Sequence, residues 1–519
     1  MFLGLDSSTQ SLSAILIDLE RGRILHECSV NFGNDLPEFG SPKGFLPDGR
    51  DGEVHANPLL WLSALDLLLG RLAQSVDLSQ VKCIAGSGQQ HGSVYLDDSF
   101  ESRLKALDLT KDLATQIAPA LTRATSPIWM DTSTSVECAE ITAALGGPDE
   151  ICCRSGSIAI ERFTGPQIRR FFKSDPAAYS RTQHIHLVSS FLASILAGRA
   201  APIDFGDGAG MNLMNLAQLS WDPDLMQATA PDLANKLPAL SSATRAFSPI
   251  SPYFVAKYRF APDCRIAPFT GDNPASLIGM GAGTPGLVVI SLGTSDTFFA
   301  AMPEAKTDPK GFGHVFGNPA GGFMSLICFR NGSLAREKLR DQYQLDWSDF
   351  EEAALAQSRD QAGRNLMLPF FSPEITPRHD FNAPMLQGSP AFESGTQPAL
   401  QVRALLEGQF LNMRLHSQWM AVNADRIRLT GGASTNNGIA QIVADVFQAP
   451  VERLAMPNSA ALGAALIAAA AGGHDLPSLQ ETFCLASSGS ETKTDPTLAP
   501  VYQNALERFG SLLARELDR

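Results

Sequence analysis

The sequence predicts an α/β protein with two domains of related topology, residues 1–284 and residues 285–519. Helical and strand segments alternate along most of the 519 residues, which is the pattern of an α/β fold. The segments LGLDSSTQSLSAILI (3–17) and VISLGTSDTFFAA (289–301) share one design: an apolar strand, a turn of small hydroxyl residues and a return strand. At ~100–200 residues per domain, the length suits two large domains or about three smaller ones.

The first part of the chain predicts a strand meander followed by a helix. FLGLD is a strand, SSTQ is a tight polar turn, and the next strand ends at a charged turn, residues 20–22, before a third strand. Residues 31–56 are rich in Gly, Pro and Asp and indicate a long surface loop. Asn57 and Pro58 then predict a helix start, as N-cap and first-turn proline. VKCIAGSGQQ predicts a buried strand that runs into a loop.

The second part repeats this pattern after a connecting segment. Residues 231–268 contain six prolines and predict extended chain. The stretch FTGDNPAS then places one acid, Asp272, before a short, tightly packed helix. After Pro285, LVVISLGTSDTFFAAM again predicts strand, turn and strand, and residues 372–399 form a second long Pro/Gly/Ser-rich insertion.

Composition excludes several classes of partner. A net charge of −14 and a pI of about 5.1 argue against nucleic acid or an anionic membrane surface. The eight cysteines contain no CxxC pair, which fits a reducing compartment. No signal peptide is expected, and the most apolar segments, 59–70 and 460–473, lack the ~20 strongly apolar residues of a membrane span. The sequence therefore predicts a cytoplasmic protein. It leaves two oligomeric states open, a monomer and a homodimer.

Three turns have the composition of phosphate-binding loops. Small residues in the turns at 6–11 and 293–297 leave backbone N–H groups free for an anion, and Ser and Thr hydroxyls add donors. Asp6 can hold a hydrated Mg²⁺, which takes one or two carboxylates plus phosphate oxygens. In TGGASTNNG (430–438), two glycines allow close backbone approach beside a helix N-terminus. Each turn alone also fits an ordinary hairpin or strand-to-helix connection.

Asp272 is the candidate catalytic acid or base. It precedes Asn273, the predicted N-cap, and Pro274. An acid at this place favours the helix dipole by ~0.3–1 kcal/mol, which alone would explain it. The functional alternative is a carboxylate that accepts a proton from a substrate hydroxyl, a role for which a modest base is enough in phosphoryl transfer.

Two further segments carry candidate ligand groups. GQQHGSVYL (88–96) places His91 and two glutamines at the end of a buried strand, where neutral hydrogen-bonding groups suit a polyhydroxylated ligand. A structural histidine is the alternative. ERFTGPQIRR (161–170) offers Arg162 before a helix start, with a surface ion pair to Glu161, of less than ~1 kcal/mol, as the alternative.

These motifs together resemble the FGGY family of carbohydrate kinases, over nearly the whole chain. The motifs that carry the resemblance are DSSTQS (6–11), GSGQQHGSVY (86–95), PIWMDTST (127–134), ERFTGPQI (161–168), LVSSFLAS (187–194), GDGAGMN (206–212), FTGDNPASL (269–277), SLGTSDT (291–297), NGSLAREKLRD (331–341), EGQF (407–410) and TGGASTN (430–436). The resemblance implies a duplicated, ribonuclease-H-like fold of the actin-like ATPase type, with a cleft between the domains. The match is closest to the longer, eukaryote-type branch that phosphorylates D-xylulose.

The resemblance implies ATP- and Mg²⁺-dependent phosphorylation of the terminal hydroxyl of D-xylulose, with Asp272 as general base. The sugar would lie on the first domain and ATP on the second. The residues implied to hold the sugar are His91, Arg162, Asp272 and Asn273. Those implied to face ATP and its metal are Asp6 (metal), Ser8, Thr9, Gly293, Thr294, Ser295, Trp347, Gly431, Gly432 and Asn436. Ser8 departs from the glycine of many family members, and its Cβ narrows the conformations open to the turn.

Three other functions remain open. A kinase of another ketose or polyol, such as ribulose, would need only different pocket residues. A non-catalytic sugar sensor with the same fold is disfavoured by the intact Asp6, Asp272 and both glycine turns. An ATP-hydrolysing structural protein of the actin class would not need QQHG or GDN beside a sugar pocket.

Overall fold

The computed structural model describes residues 1–356, 362–454 and 458–518, and it confirms the α/β fold with two large sheets. The strands up to residue 271 are β1 Phe2–Ser7, β2 Ser11–Asp18, β3 Arg23–Asn31, β4 His55–Ala56, β5 Cys83–Gly88, β6 Ser93–Leu96, β7 Ser126–Pro127, β8 His184–Leu187, β9 Ile203–Asp204, β10 Met214–Asn215, β11 Ser220–Trp221, β12 Leu240–Ser241, β13 Ser248–Pro249, β14 Arg265–Ile266 and β15 Thr270–Gly271. The later strands are β16 Leu287–Leu292, β17 Asp296–Met302, β18 His314–Gly317, β19 Phe323–Phe329, β20 Leu366–Leu368, β21 Met385–Gln387, β22 Arg426–Thr430 and β23 Val451–Arg453.

The two large sheets repeat one central arrangement. The first has the order β13-β14-β5-β1-β2-β3, with β15 also paired to β5, and the second has the order β18-β19-β17-β16-β22-β23. In the first, β1 is antiparallel to β2 and parallel to β5. In the second, β16 is antiparallel to β17 and parallel to β22. The predicted strand–turn–strand repeat therefore has a structural counterpart in both sheets. Smaller ladders pair β4 with β7, β6 with β8, β9 with β12, β10 with β11 and β20 with β21.

Helices flank both sheets. In the first part they are α1 Phe32–Asp35, α2 Pro58–Ser75, α3 Phe100–Lys105, α4 Leu113–Ile117, α5 Ser135–Ala144, α6 Pro148–Ser155, α7 Thr164–Ser174, α8 Pro176–Arg181, α9 Val188–Ala197, α10 Phe205–Ala209, α11 Pro223–Thr229, α12 Pro252–Tyr258 and α13 Asp272–Gly279. In the second part they are α14 Ser333–Gln342, α15 Trp347–Leu355, α16 Pro390–Glu393, α17 Pro398–Ser417, α18 Asn437–Phe447, α19 Ser459–Ala471, α20 Leu476–Phe483 and α21 Ala499–Leu517. Short 3₁₀ turns lie at Pro37–Phe39, Leu78–Gln80, Ala118–Ala120, Leu233–Asn235, Gln418–Met420, Gly432–Thr435 and Pro496–Leu498.

Local signals set several of these boundaries. Asn57 caps α2 by accepting a hydrogen bond from the N–H of Leu59 (3.0 Å), as predicted. The proline-rich segment 231–268 is not simply extended, because it contains α12 and the short strands β13 and β14. Proline is accommodated there in the first turn of a helix and in a strand at the sheet edge, two places where its missing N–H costs nothing.

The predicted cap of α13 is wrong. The helix begins at Asp272, and its N-cap is Gly271, which is extended at φ −73° and ψ 158°. Asn273 is therefore inside the first turn, and its side-chain amide donates to the side chain of Gln90. The conflict between a capping role and a ligand role for Asn273 does not arise.

The helix α19 follows the last strand of the second sheet in sequence but packs against the first sheet. One hydrophobic cluster lies between the first sheet and α2 and α9, and another surrounds the second sheet with α17, α18 and α21. A third cluster packs residues of β1, β2 and β5 against α19 and α20. A Cβ on Gly4 of β1 would overlap the backbone of Ala461 and Ala465, so the strand and α19 touch backbone to backbone. The division near residue 284 stays a prediction, because the chain passes between the two sheets more than once.

The helices α13 and α19 cross in the same way. A Cβ on Gly279 would overlap the carbonyl oxygen of Ser459, and one on Gly463 would overlap that of Ala275. The hydroxyls of Ser276 and Ser459 lie 2.7 Å apart beside the crossing. α13 carries Asp272 at its first turn, so this crossing fixes the helix that presents the candidate base.

Two sequence-level expectations concern the whole chain. Within the described residues, none of the helices combines the length and the apolar character that a membrane span requires. All eight cysteines lie in this part of the chain, and each is a free thiol.

Candidate active site

Asp272 lies at the edge of the first sheet, where β15 leads into α13. Its carboxylate accepts hydrogen bonds from the backbone N–H (2.8 Å) and the side-chain amide (3.0 Å) of Asn273. Its side chain remains partly exposed. Burial, assisted by the nearby Asp6 carboxylate, raises the pKa of Asp272 to about 7. A carboxyl group with this pKa is ionised in part near neutral pH and can take up a proton there.

Asp6 lies near the end of β1, at the same edge of the sheet as Asp272. It pairs in register with Ser87 of the parallel strand β5, and the Ser87 hydroxyl donates to its carboxylate at 2.7 Å. Its side chain is buried, and this burial raises the pKa of Asp6 to about 6. The parallel pairing of β1 and β5 is what brings Asp6 close to Asp272, since like ends of parallel strands meet at one edge.

His91 is held as a neutral ring. Its Nδ1 lies 2.8 Å from the carbonyl oxygen of Gly210, so the ring proton is on Nδ1 and Nε2 is an acceptor. Burial, together with the Arg162 guanidinium, lowers the pKa of His91 to about 3. The ring stacks on Phe163 with centroids 4.3 Å apart. The residue has a positive φ of 71°, so the backbone turns sharply where the side chain is presented.

Arg162 is held between the two halves of the molecule. Its Nη2 lies 3.3 Å from Nε2 of His314, which begins β18 of the second sheet. Nδ1 of His314 in turn lies 3.1 Å from the hydroxyl of Ser157. The guanidinium also lies over the ring of Phe163, at 5.6 Å. Among the described residues, no ion pair joins Arg162 to Glu161, so the surface ion pair considered as an alternative does not form.

The first hydroxyl-rich turn is closed by its own side chains. The Ser8 hydroxyl contacts the carbonyl oxygen and the hydroxyl of Ser11, both at 3.1 Å. The Thr9 hydroxyl accepts a hydrogen bond from Nε1 of Trp129 at 2.9 Å. The Trp129 side chain is 44% exposed, so the indole is an open surface next to this turn.

Two cavities lie beside the turns at residues 293–297 and 430–438. One, of about 700 Å³, is lined by Gly293, Thr294, Trp347, Gly432 and Asn436 among others. The other, of about 570 Å³, brings Asn273 of the first half together with Gly431 of the second. Ser295 lies exposed at the tip of its turn and lines neither cavity.

The larger cavity has an aromatic wall and a helix start. Trp347 is 43% exposed, and the guanidinium of Arg340 lies 4.5 Å from the centre of its ring. Asn436 caps α18 through the N–H of Ile439 (2.9 Å). Gly431, which lines the smaller cavity, has a φ of 87° that favours glycine. An indole beside an exposed helix start suits a ligand with a flat ring and an anionic tail.

Comparisons with known proteins show the family to which the chain belongs. Residues 1–279 match the N-terminal domain of the FGGY family of carbohydrate kinases, and residues 288–472 match its C-terminal domain. The chain belongs to this family. It is similar to a protein named xylulose kinase of Rattus norvegicus, with 39% identity over 530 residues, 100% of this chain and 97% of the relative. It is also similar to xylulose kinase 2 of Arabidopsis thaliana, with 39% identity over 486 residues, 90% of this chain and 87% of the relative.

Solved structures share the fold. The xylulose kinase from Rhodospirillum rubrum superimposes with a TM-score of 0.81 at 21% identity, over 99% of this chain and 98% of that one. The structure titled xyloylose kinase from Brucella ovis does so with a TM-score of 0.81 at 22% identity, over 100% of this chain and 99% of that one. These matches confirm the two-domain architecture that the sequence predicts.

Sequence reasoning did not single out four side chains that the structure places here. Ser87 and Trp129 lie in motifs that resemble the family, but nothing in either motif indicates which side chain faces the site. His314 comes from an edge strand of the second sheet and had no signal in the sequence. Asp207 is buried and accepts a hydrogen bond from Ser189; burial, with the neighbouring Asp204 and Asp272, raises its pKa well above the usual range.

Proposed function

We propose that the protein transfers the γ-phosphoryl group of ATP to the terminal hydroxyl of D-xylulose, giving D-xylulose 5-phosphate. The observation that supports the mechanism best is Asp272, a carboxyl group with a pKa of about 7 at the start of α13, close to the Asp6 carboxylate. The choice of D-xylulose follows the names of the relatives. The cytoplasmic location and the monomeric or dimeric state stay predictions.

The sugar would be held at the edge of the first sheet. His91 presents Nε2 as an acceptor for a sugar hydroxyl, and Arg162 supplies donors. Both amide hydrogens of Asn273 are donated to Gln90 and Asp272, so Asn273 would offer its side-chain oxygen as an acceptor. Asp272 would accept the proton of the attacking hydroxyl and orient its oxygen. In phosphoryl transfer the transition state is loose, so positioning of this kind supplies most of the catalysis.

ATP would occupy the cavities of the second half. The adenine would stack on Trp347, with Gly431, Gly432 and Asn436 beside the nucleoside. Backbone N–H groups and hydroxyls of Gly293, Thr294 and Ser295 would face the phosphates from the second sheet, and Ser8 and Thr9 would face them from the first.

Asp6 fits the metal site that the family implies. Its carboxylate is buried, has one hydrogen bond from Ser87, and lies near enough to Asp272 to raise that group's pKa. A divalent cation would stabilise the Asp6 carboxylate in its ionised form. In the described residues, His, Cys, Asp and Glu side chains do not gather in threes as a closed metal cage would, and Mg²⁺ needs no cage because it keeps several waters. When bound, Mg²⁺ would neutralise charge on the phosphates.

We predict that kcat/KM for the sugar rises with pH and levels off above about 7. Asp272 acts as a base only when ionised, so activity should fall about tenfold per pH unit below its pKa of about 7. His91, with its pKa of about 3, should not titrate in this range. The measurement is initial rate at low sugar and fixed Mg-ATP. A profile that is flat between about pH 5.5 and 8.5, in buffers of equal ionic strength, would contradict the assignment of the base.

Replacing the tryptophan of the nucleotide cavity should weaken ATP binding selectively. Base–aromatic stacking is worth ~1–3 kcal/mol, so Trp347→Ala should raise KM for ATP by roughly 5- to 150-fold and leave KM for the sugar within about twofold. Trp347→Phe, which keeps an aromatic face, serves as the matched variant and should recover most of the affinity. Equal effects on both KM values would argue that Trp347 acts on the fold and not on the nucleotide.

The substrate is tested by release of ADP from Mg-ATP. The purified protein is assayed with D-xylulose, L-xylulose, D-ribulose, L-ribulose, glycerol and no sugar. The proposal expects turnover with D-xylulose above all others. Faster turnover with another sugar would keep the proposed mechanism and overturn the assignment of D-xylulose as substrate. A folded protein that binds sugar without sugar-stimulated turnover would be a sugar sensor and not a kinase.

A further inference from the structure

A buried ion pair lies directly behind the turn Gly293–Ser295. Arg336 of α14 and Asp296, the first residue of β17, are 0% and 1% exposed. The guanidinium meets the carboxylate as a fork, with Nη1–Oδ2 at 2.9 Å and Nη2–Oδ1 at 2.8 Å. A two-point contact of this kind fixes the relative orientation of both groups as well as their distance.

The pair is attached to both ends of the turn. At one end Asp296 directly follows Ser295, and at the other end the carbonyl oxygen of Gly293 accepts from the N–H of Ser333 at 2.9 Å. A Cβ on Gly332 would overlap the same carboxylate, so α14 approaches it as closely as a backbone can. With Gly293 tied inward, Thr294 and Ser295 are left exposed at the tip.

Arg336 is itself anchored within α14 and to one further helix, α17. Its Nη2 donates to the Ser333 hydroxyl (3.1 Å) and its Nη1 to Oε1 of Gln409 on α17 (3.0 Å). The side-chain amide of Gln409 in turn donates a hydrogen bond to the carbonyl oxygen of Asn331 at 2.6 Å. The contact with Ser333 is partly buried and the contacts of Gln409 are buried, so the turn is connected through Arg336 to α17.

Stability does not account for such an arrangement. Burial raises the pKa of Asp296 and the Arg336 guanidinium opposes that rise, so desolvation and attraction work against each other. A buried ion pair can often be replaced by apolar side chains of similar size without loss of stability, whereas removing one partner leaves an unpaired charge. An unpaired carboxylate behind this turn would also repel a phosphate in front of it.

We propose that Asp296 and Arg336 are positioning residues for the phosphate end of the nucleotide. Their fork holds the turn with its outer N–H groups and hydroxyls aimed outward, and the guanidinium cancels the carboxylate charge that would face the phosphates. This inference rests on the proposed function, since it assumes that phosphates lie at the 293–295 turn. The adenosine end, at Trp347 and Asn436, should not depend on the pair.

The test compares the affinity for Mg-ADP with that for adenosine by calorimetry. The variants are Arg336→Lys, which keeps the charge but loses the fork, and the apolar double variant Asp296→Leu/Arg336→Met, which leaves no unpaired charge. Hydrogen bonds to charged groups are strong, so we expect the preference for Mg-ADP over adenosine to fall about tenfold or more in both, with adenosine affinity within about twofold. The control is Arg403→Lys, in the buried pair that Arg403 forms with Glu407 on α17, which should keep the preference.

The outcomes separate the inference from the function on which it rests. If a folded double variant keeps the wild-type preference, the positioning role is wrong and the nucleotide site stands. If the wild-type protein itself binds Mg-ADP no better than adenosine, the phosphate site is wrong and the inference falls with it. Equal losses for both ligands would show a structural role only and would also overturn the proposal.

Discussion

Replacing Asp272 with asparagine is expected to reduce sugar-dependent ADP release by a factor of about 10²–10⁴, the range typical of a lost general base. Asparagine keeps the shape of the side chain and an oxygen that accepts the Asn273 N–H, so the start of α13 should persist. Only the capacity to take up a proton disappears. The measurement is kcat at saturating D-xylulose and Mg-ATP.

The same substitution should stabilise the fold at neutral pH. Burial raises the pKa of Asp272 from its ordinary value near 4 to about 7, so the stability that the protonated carboxyl contributes is present at low pH and is lost as pH rises through about 7. Asparagine cannot ionise, so the variant should melt at a higher temperature than the wild type at pH ~8 and at a similar one at pH ~4. Thermal melts at the two pH values test this.

A second acid at a helix start provides the matched control. Asp475 caps α20 by accepting from the N–H of Ser478 at 3.1 Å and lies on the exposed side of that helix. Asp475→Asn should leave turnover unchanged. If Asp272→Asn also keeps turnover within about tenfold of the wild type, Asp272 is only an acid that favours a helix dipole.

The largest effect on folding is expected from Gly463→Val. Its side chain would have to occupy the space of the Ala275 carbonyl oxygen in α13, and no rotamer relieves a clash between Cβ and backbone. The two helices would separate, at a cost at or above the ~1–3 kcal/mol typical of overpacking. We expect a lower urea midpoint and less soluble protein. Loss of activity should accompany it, since α13 carries Asp272.

The opposite result is expected at Gly70, a glycine with free space around it. Gly70 lies within α2, and a Cβ there would meet no atom within 4 Å. Gly70→Ala should raise the free energy of unfolding by roughly 0.5–1 kcal/mol, because alanine is the better helix former. If both substitutions shifted the urea midpoint equally, close packing at the helix crossing would not be the cause.

Local patterns predicted most of the site, and long-range packing accounts for the rest. The paired strands around each hydroxyl-rich turn, and the acid before a short helix, are encoded within about ten residues of sequence. The contact of His314 with Arg162 is different, because an edge strand of the second sheet meets a loop of the first. The Arg336–Asp296 fork likewise joins segments whose spacing carries no signal of their pairing.

The N-cap of α13 illustrates the limit at short range. Asparagine before proline is a common helix start, so Asn273 was the natural prediction. The helix begins two residues earlier, because Gly271 belongs to a strand paired with β5. The side-chain amide of Asn273 donates instead to Gln90, which follows β5. Tertiary contacts thus override a local preference.

The return of α19 to the first sheet has a consequence for biosynthesis. β1 leaves the ribosome long before the helix that covers one of its faces, Ser459–Ala471. While most of the protein is being translated, that apolar face has no native partner, and exposed surface of this kind promotes aggregation. A truncated product that ends near residue 284 would keep this face uncovered. The nascent chain should therefore depend on chaperones until α19 has been translated.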